Sequence, residues 1–445
     1  MKRGLHLISC YLPNNEFVDA FFASLANELR RHDQQMLLLP TYAPQTDAQL
    51  YVQISYTLAG YAQLSPPAAG VDSGLVPGAL ADAEAAWTRR SANPADHARA
   101  VATCTAFFGR LLDEMEPDTV SIWNPTVPQG RLLQMACLAR AIPCFGIERG
   151  VFAETMMVES REVGAQADVA LNPTLRSVLA QQRPEPERLD EIRRYYAQRD
   201  FSRYAMAPRC SGSTLKQDLG IPADARTVVL MLSVAAANWA PRSLPGARFT
   251  SPWFESAQQA VACLLAALPP DVHLIVQDHP LDRGRWKPTP HPRLRHVRGA
   301  HLQTLFEVAD VLAFLGATTV QHEALLADKP LLLLSRSQLS GQGVAHEYAG
   351  ADLRALVERA LARDGHAAQR EAAARYVPFL FDHALFGLPG SPARHTAADL
   401  GRHLAALESA HSLDTAGRIE RWLAAAASDL ASTAANTPTA VENVT

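Results

Sequence analysis

Two stretches decide how this chain folds: Leu274-Ile275-Val276-Gln277-Asp278-His279-Pro280 and Gly316-Ala317-Thr318-Thr319-Val320-Gln321-His322-Glu323-Ala324-Leu325. The first is a short apolar run closed by Asp-His-Pro. The second follows another apolar run, Val311-Leu312-Ala313-Phe314-Leu315, and sets a glycine and two hydroxyls where a strand turns into a helix. Both read as carboxyl ends of strands in a parallel α/β sheet, the edge at which such sheets take ligands. A histidine at one strand end and a hydroxyl-bearing helix start at the next suit an anionic phosphate group.

Outward from these stretches the same alternation continues. Thr227-Val228-Val229-Leu230-Met231-Leu232 is purely apolar and ends in Ser233, as a central parallel strand covered on both faces does. Helices are predicted over 253–268, 301–309 and 319–327, between strands at 273–277, 311–315 and 331–334. The first half repeats the scheme: strand 5–11, helix 16–31, strand 36–39, helix 81–116, strand 119–123, helix 130–140 and strand 143–147. The helix at 16–31 carries Phe17, Ala20, Phe21, Leu25 and Leu29 at helical spacing. The strand at 143–147 is expected to deliver Glu148-Arg149-Gly150-Val151-Phe152 into a loop. Residues 41–80 read as a polar, Pro/Gly-punctuated excursion. Strands alternating with helices predict an α/β fold of two parallel-sheet domains. The expected organisation is a Rossmann-like domain over 1–175, a linker and helical region over 176–220, a second Rossmann-like domain over 221–350, helices over 351–430 and an aperiodic tail over 431–445. No internal repeat is visible beyond the general likeness of two α/β halves.

Bulk properties narrow the function classes. With 445 residues, 48% hydrophobic and 19% charged, the chain has globular composition and is long enough for two cores. A net charge of −4 gives no basic field for nucleic acid. The six cysteines (Cys10, Cys104, Cys137, Cys144, Cys210 and Cys263) form no CxxC pair, so they read as buried free thiols of a reducing compartment rather than zinc or dithiol groups. No stretch reaches the ~18 apolar residues of a membrane span and no signal peptide is evident, so a cytoplasmic location is expected. Two basic spots, Arg30-Arg31-His32 and Arg283, Arg285, Lys287, are able to meet anionic head groups or glycan carboxylates at the inner membrane.

The chemistry-bearing candidates sit at predicted strand tips. His279 can donate to a phosphate, with Pro280 fixing the backbone beyond it. Thr318 and Thr319 are ordinary helix-capping residues and equally suited to holding a phosphate. Glu323, one turn on, can accept from ribose hydroxyls or act as a solvated charge. Glu148 is a candidate general base or nucleophile, or the ion-pair partner of Arg149. Asn124 is placed to orient an acceptor or cap a turn, and Ser233 and Asn238 to line the same site. No Asp-x-Asp pair calls for a metal, so no metal or cofactor is expected.

In order along the chain, Ile122-Trp123-Asn124, Ile147-Glu148-Arg149-Gly150-Val151-Phe152, Asp278-His279-Pro280 and Gly316 to Pro330 resemble the bacterial capsule polysaccharide synthesis family, the KpsS/KpsC-type β-Kdo transferases. The resemblance covers about residues 118–350. It implies a GT-B architecture, two Rossmann-like domains facing a cleft, and a CMP-sugar donor, most often CMP-Kdo. It puts the His-Pro motif, His279 with Pro280, at the donor phosphate with Thr318 and Thr319, and Glu148 at the catalytic position, with His279 as the second catalytic candidate; the reading of the residues adds Ser233 and Glu323 on the donor side and Asn124 and Arg149 on the acceptor side. Many relatives carry Glu-Asp-Gly where this chain has Glu148-Arg149-Gly150. The expected activity is glycosyl transfer in surface polysaccharide assembly, onto a lipid or glycan acceptor alongside polysaccharide-assembly proteins. Two rivals remain: a GT-B transferase using a UDP- or GDP-sugar, and a glycan-binding subunit without catalysis.

Overall fold

The computed structural model describes residues 4–10, 16–41, 50–51, 94–123, 125, 128–160, 167–198, 206–233, 253–280, 289–316 and 318–407. The chain divides into two compact units, Met1–Ile147 with Ala397–Thr445, and Glu148–Thr396.

The first unit runs β1 (Leu5–Cys10), α1 (Glu16–Arg31), β2 (Gln35–Pro40), β3 (Leu50–Tyr51), α2 (Pro94–Met115), β4 (Thr119–Trp123), α3 (Pro128–Leu138) and the start of β5 (Cys144–Arg149). All its pairings are parallel, in the order β5-β4-β1-β2-β3. α1 forms because Val18, Phe21, Phe22, Leu25 and Leu29 recur on one stripe, and all five are buried. Leu5 and Leu7 of β1, Leu37 and Leu39 of β2, and Val120 and Ile122 of β4 pack with Phe108 and Leu111 of α2 and Leu132 and Leu133 of α3.

The second unit opens inside β5 and continues with β6 (Thr155–Glu159), α4 (Asp168–Leu171), α5 (Pro173–Gln181), α6 (Pro186–Ala197) and α7 (Gly212–Asp218). Then come β7 (Arg226–Leu232), α8 (Ala257–Ala267), β8 (Val272–Asp278), β9 (Leu294–Arg298), α9 (Leu302–Val308), β10 (Val311–Leu315), α10 (Val320–Leu326), β11 (Leu331–Leu333) and β12 (His346–Glu347). It closes with α11 (Leu353–Leu361), α12 (His366–Phe379), β13 (Leu385–Gly387) and β14 (His395–Thr396). β13 pairs antiparallel with β6 and parallel with β14. The last described helix, α13 (Ala397–Ala406), belongs to the first unit.

Six parallel strands form the core of the second unit in the order β12-β11-β10-β7-β8-β9. Counted from its own first strand, this is the doubly wound order, and the first unit follows it over five strands. Strand alternation sorts the side chains cleanly. Val229, Met231, Ile275, Leu312, Phe314, Leu331 and Leu333 face α6, α7, α9, α10 and α12. Val228, Leu230, Leu232, Leu274, Val276, Val311, Ala313 and Leu315 face α8 and α11. Both faces are covered, which is why these strands read as unbroken apolar runs.

The two sheets share a device that the sequence reading passed over. In the first unit the Leu5 N–H donates to Asp118 Oδ2 at 2.8 Å, and the Asp118 N–H donates to the Leu5 carbonyl at 2.9 Å. In the second, the Thr227 N–H donates to Asp310 Oδ2 at 2.7 Å, and the Asp310 N–H donates to the Thr227 carbonyl at 2.9 Å. Each aspartate immediately precedes the strand paired with its unit's first strand. Each satisfies a backbone donor that the sheet ladder leaves over.

Three expectations need correction. Glu148 and Arg149 lie within β5, not in a loop beyond it. Val151 and Phe152 are core residues, with Phe152 0% exposed against Tyr196, Phe381 and His322. The cysteines are not uniformly buried: Cys104 and Cys137 are, Cys144 and Cys210 are half-buried, and Cys263 is exposed. The polar excursion of 41–80 falls almost wholly outside the described residues, as do 431–445.

Candidate functional site

A doubly wound sheet binds ligands outside the carboxyl ends of the two strands whose outgoing connections run to opposite edges. In the second unit those strands are β7, which leads through β8 to β9, and β10, which leads through β11 to β12. Ser233 follows β7 directly, and its N–H donates to the Leu315 carbonyl at 3.2 Å, stitching the two strand ends together. Ser233 itself is buried.

Beyond β10 the backbone turns at Gly316, whose φ is +88°. That left-handed conformation is open to glycine and strained for other residues. The Gly316 N–H donates to the hydroxyl of buried Ser335, just past β11. Thr318 and Thr319 follow, half-buried, and lead into α10. Their capping roles differ from the expectation of a shared cap. The Thr318 hydroxyl accepts from the Val320 N–H at a long 3.4 Å. Thr319 is already helical, with φ −63° and ψ −27°, and makes no side-chain cap. Both hydroxyls therefore carry little capping duty.

His279 and Pro280 follow β8, one strand further from this point, and His279 is half-buried. The preceding Asp278 is buried and pairs across β9 with His296 Nε2 at 2.8 Å and Arg298 Nε at 3.3 Å. This anchors the strand end that carries His279. Gln277 and Gln321 were not singled out, yet both are buried and each has an amide Oε1 with no hydrogen-bond partner among the described residues. Native folds rarely leave such atoms unmet. A buried amide beside the Asp-His-Pro motif was the one signal available in the sequence.

Glu323, half-buried on α10, lines a cavity of about 410 Å³ together with Arg193 and Tyr196 of α6, Gln303 and Phe306 of α9 and Leu326 of α10. The remaining donor-side candidates, His279, Pro280, Thr318, Thr319 and Ser233, do not line it. The cavity joins three helices that sequence reading had not connected.

Glu148 and Arg149 are half-buried at the end of β5, and the Gly150 N–H donates to the Thr155 carbonyl at 2.7 Å, turning the chain into β6. A Cβ on Gly150 would stand 2.0 Å from the Thr155 hydroxyl oxygen. The glycine of Glu148-Arg149-Gly150 is therefore explained by close packing alone. Asn124, Asn238 and the basic run Arg283, Arg285, Lys287 lie outside the described residues. At the other basic spot, Arg31 pairs with Glu28 at 2.8 Å and His32 lies 3.6 Å from the same carboxylate, which reduces the positive field there.

Two buried groups near β6 and α10 have displaced protonation. Burial, reinforced by neighbouring Asp168, pushes the Glu159 carboxyl up to about 8. Burial pushes the His322 imidazole down to about 3; its Nε2 lies 3.2 Å from the Tyr376 hydroxyl. Among the described residues, no group of three or more His, Cys, Asp or Glu side chains converges as a metal site does, and no helix is long and apolar enough to cross a membrane.

No protein-family model matches the chain, and no curated protein matches it either. Among solved structures, it is similar to the UDP-GlcNAc 2-epimerase of Methanocaldococcus jannaschii in complex with UDP-GlcNAc and UDP, at 12% identity and TM-score 0.39, covering 85% of this chain and 99% of that one. It is also similar to the spinosyn rhamnosyltransferase SpnG complexed with spinosyn aglycone, at 13% identity and TM-score 0.38, covering 91% and 100%. A third is the glycosyltransferase SnogD from Streptomyces nogalater, at 16% identity and TM-score 0.31, covering 92% and 99%. Likeness at these scores decides nothing about chemistry, and the α/β assignment stands on the chain's own strand order.

Proposed function

We propose that this chain is a glycosyltransferase of GT-B type that uses a nucleotide-sugar donor. One observation carries the reading: hydroxyl-bearing Thr318 and Thr319, with little capping duty, follow the left-handed Gly316 turn at the switch point of a doubly wound sheet. That is where the fold physics expects a phosphate-bearing ligand. His279 stands at the neighbouring strand end, held by the anchored Asp278.

In this reading the donor phosphate rests on Thr318 and Thr319, with His279 donating as charge builds on the leaving nucleotide. Donors fixed before the reaction stabilise that charge most effectively. Glu323 takes the ribose hydroxyls. Glu148 removes the proton from the acceptor hydroxyl as it attacks, and Arg149 contacts the acceptor. The ordered motifs support CMP-Kdo as the donor and a lipid or growing surface polysaccharide as the acceptor, with peripheral contact at the inner membrane. A UDP- or GDP-sugar is the second reading, because the same strand-end arrangement serves a diphosphate.

Thermal denaturation with CMP, UDP or GDP at millimolar concentration tests the proposal, since a ligand bound only by the folded chain raises Tm. A rise with CMP alone, followed by transfer from CMP-Kdo that Glu148→Gln or His279→Ala suppresses, supports it. A rise with UDP or GDP alone replaces the donor. No rise and no transfer with any nucleotide sugar replaces the enzyme with a glycan-binding subunit.

A further inference from the structure

We propose that Arg336 is the cation that meets the negative charge of the donor phosphate. The inference rests on the nucleotide-sugar reading above and deepens it, because the groups placed at the phosphate so far include no arginine or lysine. Arg336 follows β11, the strand paired with β10 in the register Phe314↔Leu333. Counted on from that register, Ser335 falls opposite Gly316, and the Gly316 N–H donates to the Ser335 hydroxyl. Arg336 is the next residue, one Cα step of about 3.8 Å further on. Neighbouring strands lie about 4.8 Å apart, so the backbone of Arg336 flanks the turn that leads to Thr318 and Thr319.

The surroundings set this side chain apart. From Leu331 to Leu339 every residue is buried except Arg336, which is exposed. The loop beyond it is braced by its own serines: the Ser337 N–H donates to the Ser340 hydroxyl at 3.0 Å, and the Leu339 N–H donates to the Ser337 hydroxyl at 3.1 Å. A fixed backbone thus presents one outward cation. Its guanidinium makes no hydrogen bond or ion pair among the described residues. Arg298, the last residue of β9, is by contrast already paired with Asp278 at 3.3 Å. Among the described residues, no other Lys or Arg occupies the three positions after any of the six strands. An exposed arginine elsewhere is an ordinary solvated charge; this one stands at the edge where a doubly wound sheet takes its ligand. The threonine hydroxyls are neutral donors, and a charge-assisted hydrogen bond is roughly twice as strong as a neutral one. The planar guanidinium also matches a phosphate with two parallel N–H groups, and here it gives up no protein partner to do so.

The test is calorimetric titration of the full chain with CMP, UDP and GDP. It compares wild type, Arg336→Gln, Arg336→Lys, His279→Ala and Arg359→Gln, with Tm as the check on folding. Arg359, exposed in the last turn of α11, controls for net charge. Arg336→Gln should keep the wild-type Tm and weaken the nucleotide that wild type binds by about tenfold or more, the factor expected of one hydrogen bond to a charged group. Lysine should restore part of the affinity, as a point charge without the fork. The gap between wild type and Arg336→Gln should narrow from about 50 to about 500 mM salt, as a charge contact near solvent does. Arg359→Gln should stay within about twofold of wild type. Arg336→Gln within about twofold of wild type overturns the inference, and so does an equal loss in Arg359→Gln. A loss that comes with a lowered Tm, or that salt leaves unchanged, assigns Arg336 to packing and overturns it too. If His279→Ala weakens the nucleotide while Arg336→Gln changes nothing, the donor reading stands and the inference falls. If wild type binds none of the three nucleotides, both fall.

Discussion

The two units are built alike at one end of their sheets and differently at the other. At the amino ends both place an aspartate, Asp118 or Asp310, against a backbone N–H at the start of the first strand, that of Leu5 or Thr227. Matching of the buried polar groups there is uneven: Gln35 Oε1 at the start of β2 and His273 Nδ1 near the start of β8 have no partner among the described residues, whereas His6 is fully matched. His6 in β1 bonds through Nδ1 to the Thr119 hydroxyl at 2.8 Å and through Nε2 to Gln34 Oε1 at 2.6 Å. Toward the carboxyl ends of the second unit's strands the unmatched groups are amides: Gln277 near the end of β8 and Gln321 at the start of α10 keep unmet acceptors. The comparison teaches that the aspartate clamp is the device the two units share, while an unmet buried acceptor singles out a ligand candidate only where it also stands beside the switch point, as Gln277 and Gln321 do.

The largest expected effect concerns Glu159. The folded chain keeps its carboxyl proton up to about pH 8, whereas the unfolded chain loses it near the ordinary value of 4.5. The folded state therefore binds more protons across this window, and stability falls as pH rises from about 5 to 8. Glu159→Gln should remove that fall and raise stability at pH 8 by on the order of a few kcal/mol, because each tenfold difference in proton affinity between the folded and unfolded chain is worth about 1.4 kcal/mol. Little change is expected at pH 4. Parallel melting curves for both proteins at pH 4, 6 and 8 decide it; identical pH slopes reject it.

Next in size, His279→Ala should lower transfer about a hundredfold or more with Tm unchanged, as loss of a fixed donor to a leaving group does. Full transfer by that variant removes His279 from the chemistry. The paired aspartates give the sharpest comparison. Asp118→Ala should cost about 2 kcal/mol, because Asp118 is buried and the Leu5 N–H loses its partner. Asp310→Ala should cost under about 1 kcal/mol, because Asp310 is exposed and water can replace it. Urea unfolding that reverses this order breaks the view of the two clamps as one device in two settings. Gly316→Ala should cost about 1 kcal/mol for its positive φ, and Ser335→Ala should cost less, since Ser335 supplies one acceptor.

Most of the parallel frame was legible in the sequence, because strands covered on both faces must be apolar throughout. α1, β4 and β10 begin and end within a residue of expectation. The missed strands lacked that signature. β9 reads Leu-Arg-His-Val-Arg and lies at the sheet edge, so charges are tolerated. β13 has three residues and takes its conformation from pairing with β6. The division into units was also beyond reach of pattern. It falls at Ile147/Glu148 inside a strand, with no linker composition to mark it. For the site, the strand-tip residues could be named, but not the cavity. The aspartate clamp was within reach, since Asp118 and Asp310 each stand just before an apolar strand, but spacing alone does not say that an aspartate reaches back to a strand so distant along the chain.

α13 carries a consequence for the order of events on the ribosome. Gln34 Nε2 donates to the Ala405 carbonyl at 3.0 Å, Arg402 pairs with Glu28 at 3.3 Å, and a Cβ on Gly401 would stand 2.8 Å from that of Glu28. The surface that α1 presents to this helix cannot be covered until residue 406 has left the ribosome. The segment between, Glu148–Thr396, emerges complete before then. Since domains generally fold as they emerge, the unit whose synthesis starts first is the one that finishes last, and a nascent chain arrested with residue 396 just outside the ribosome carries a complete second unit and an open first one.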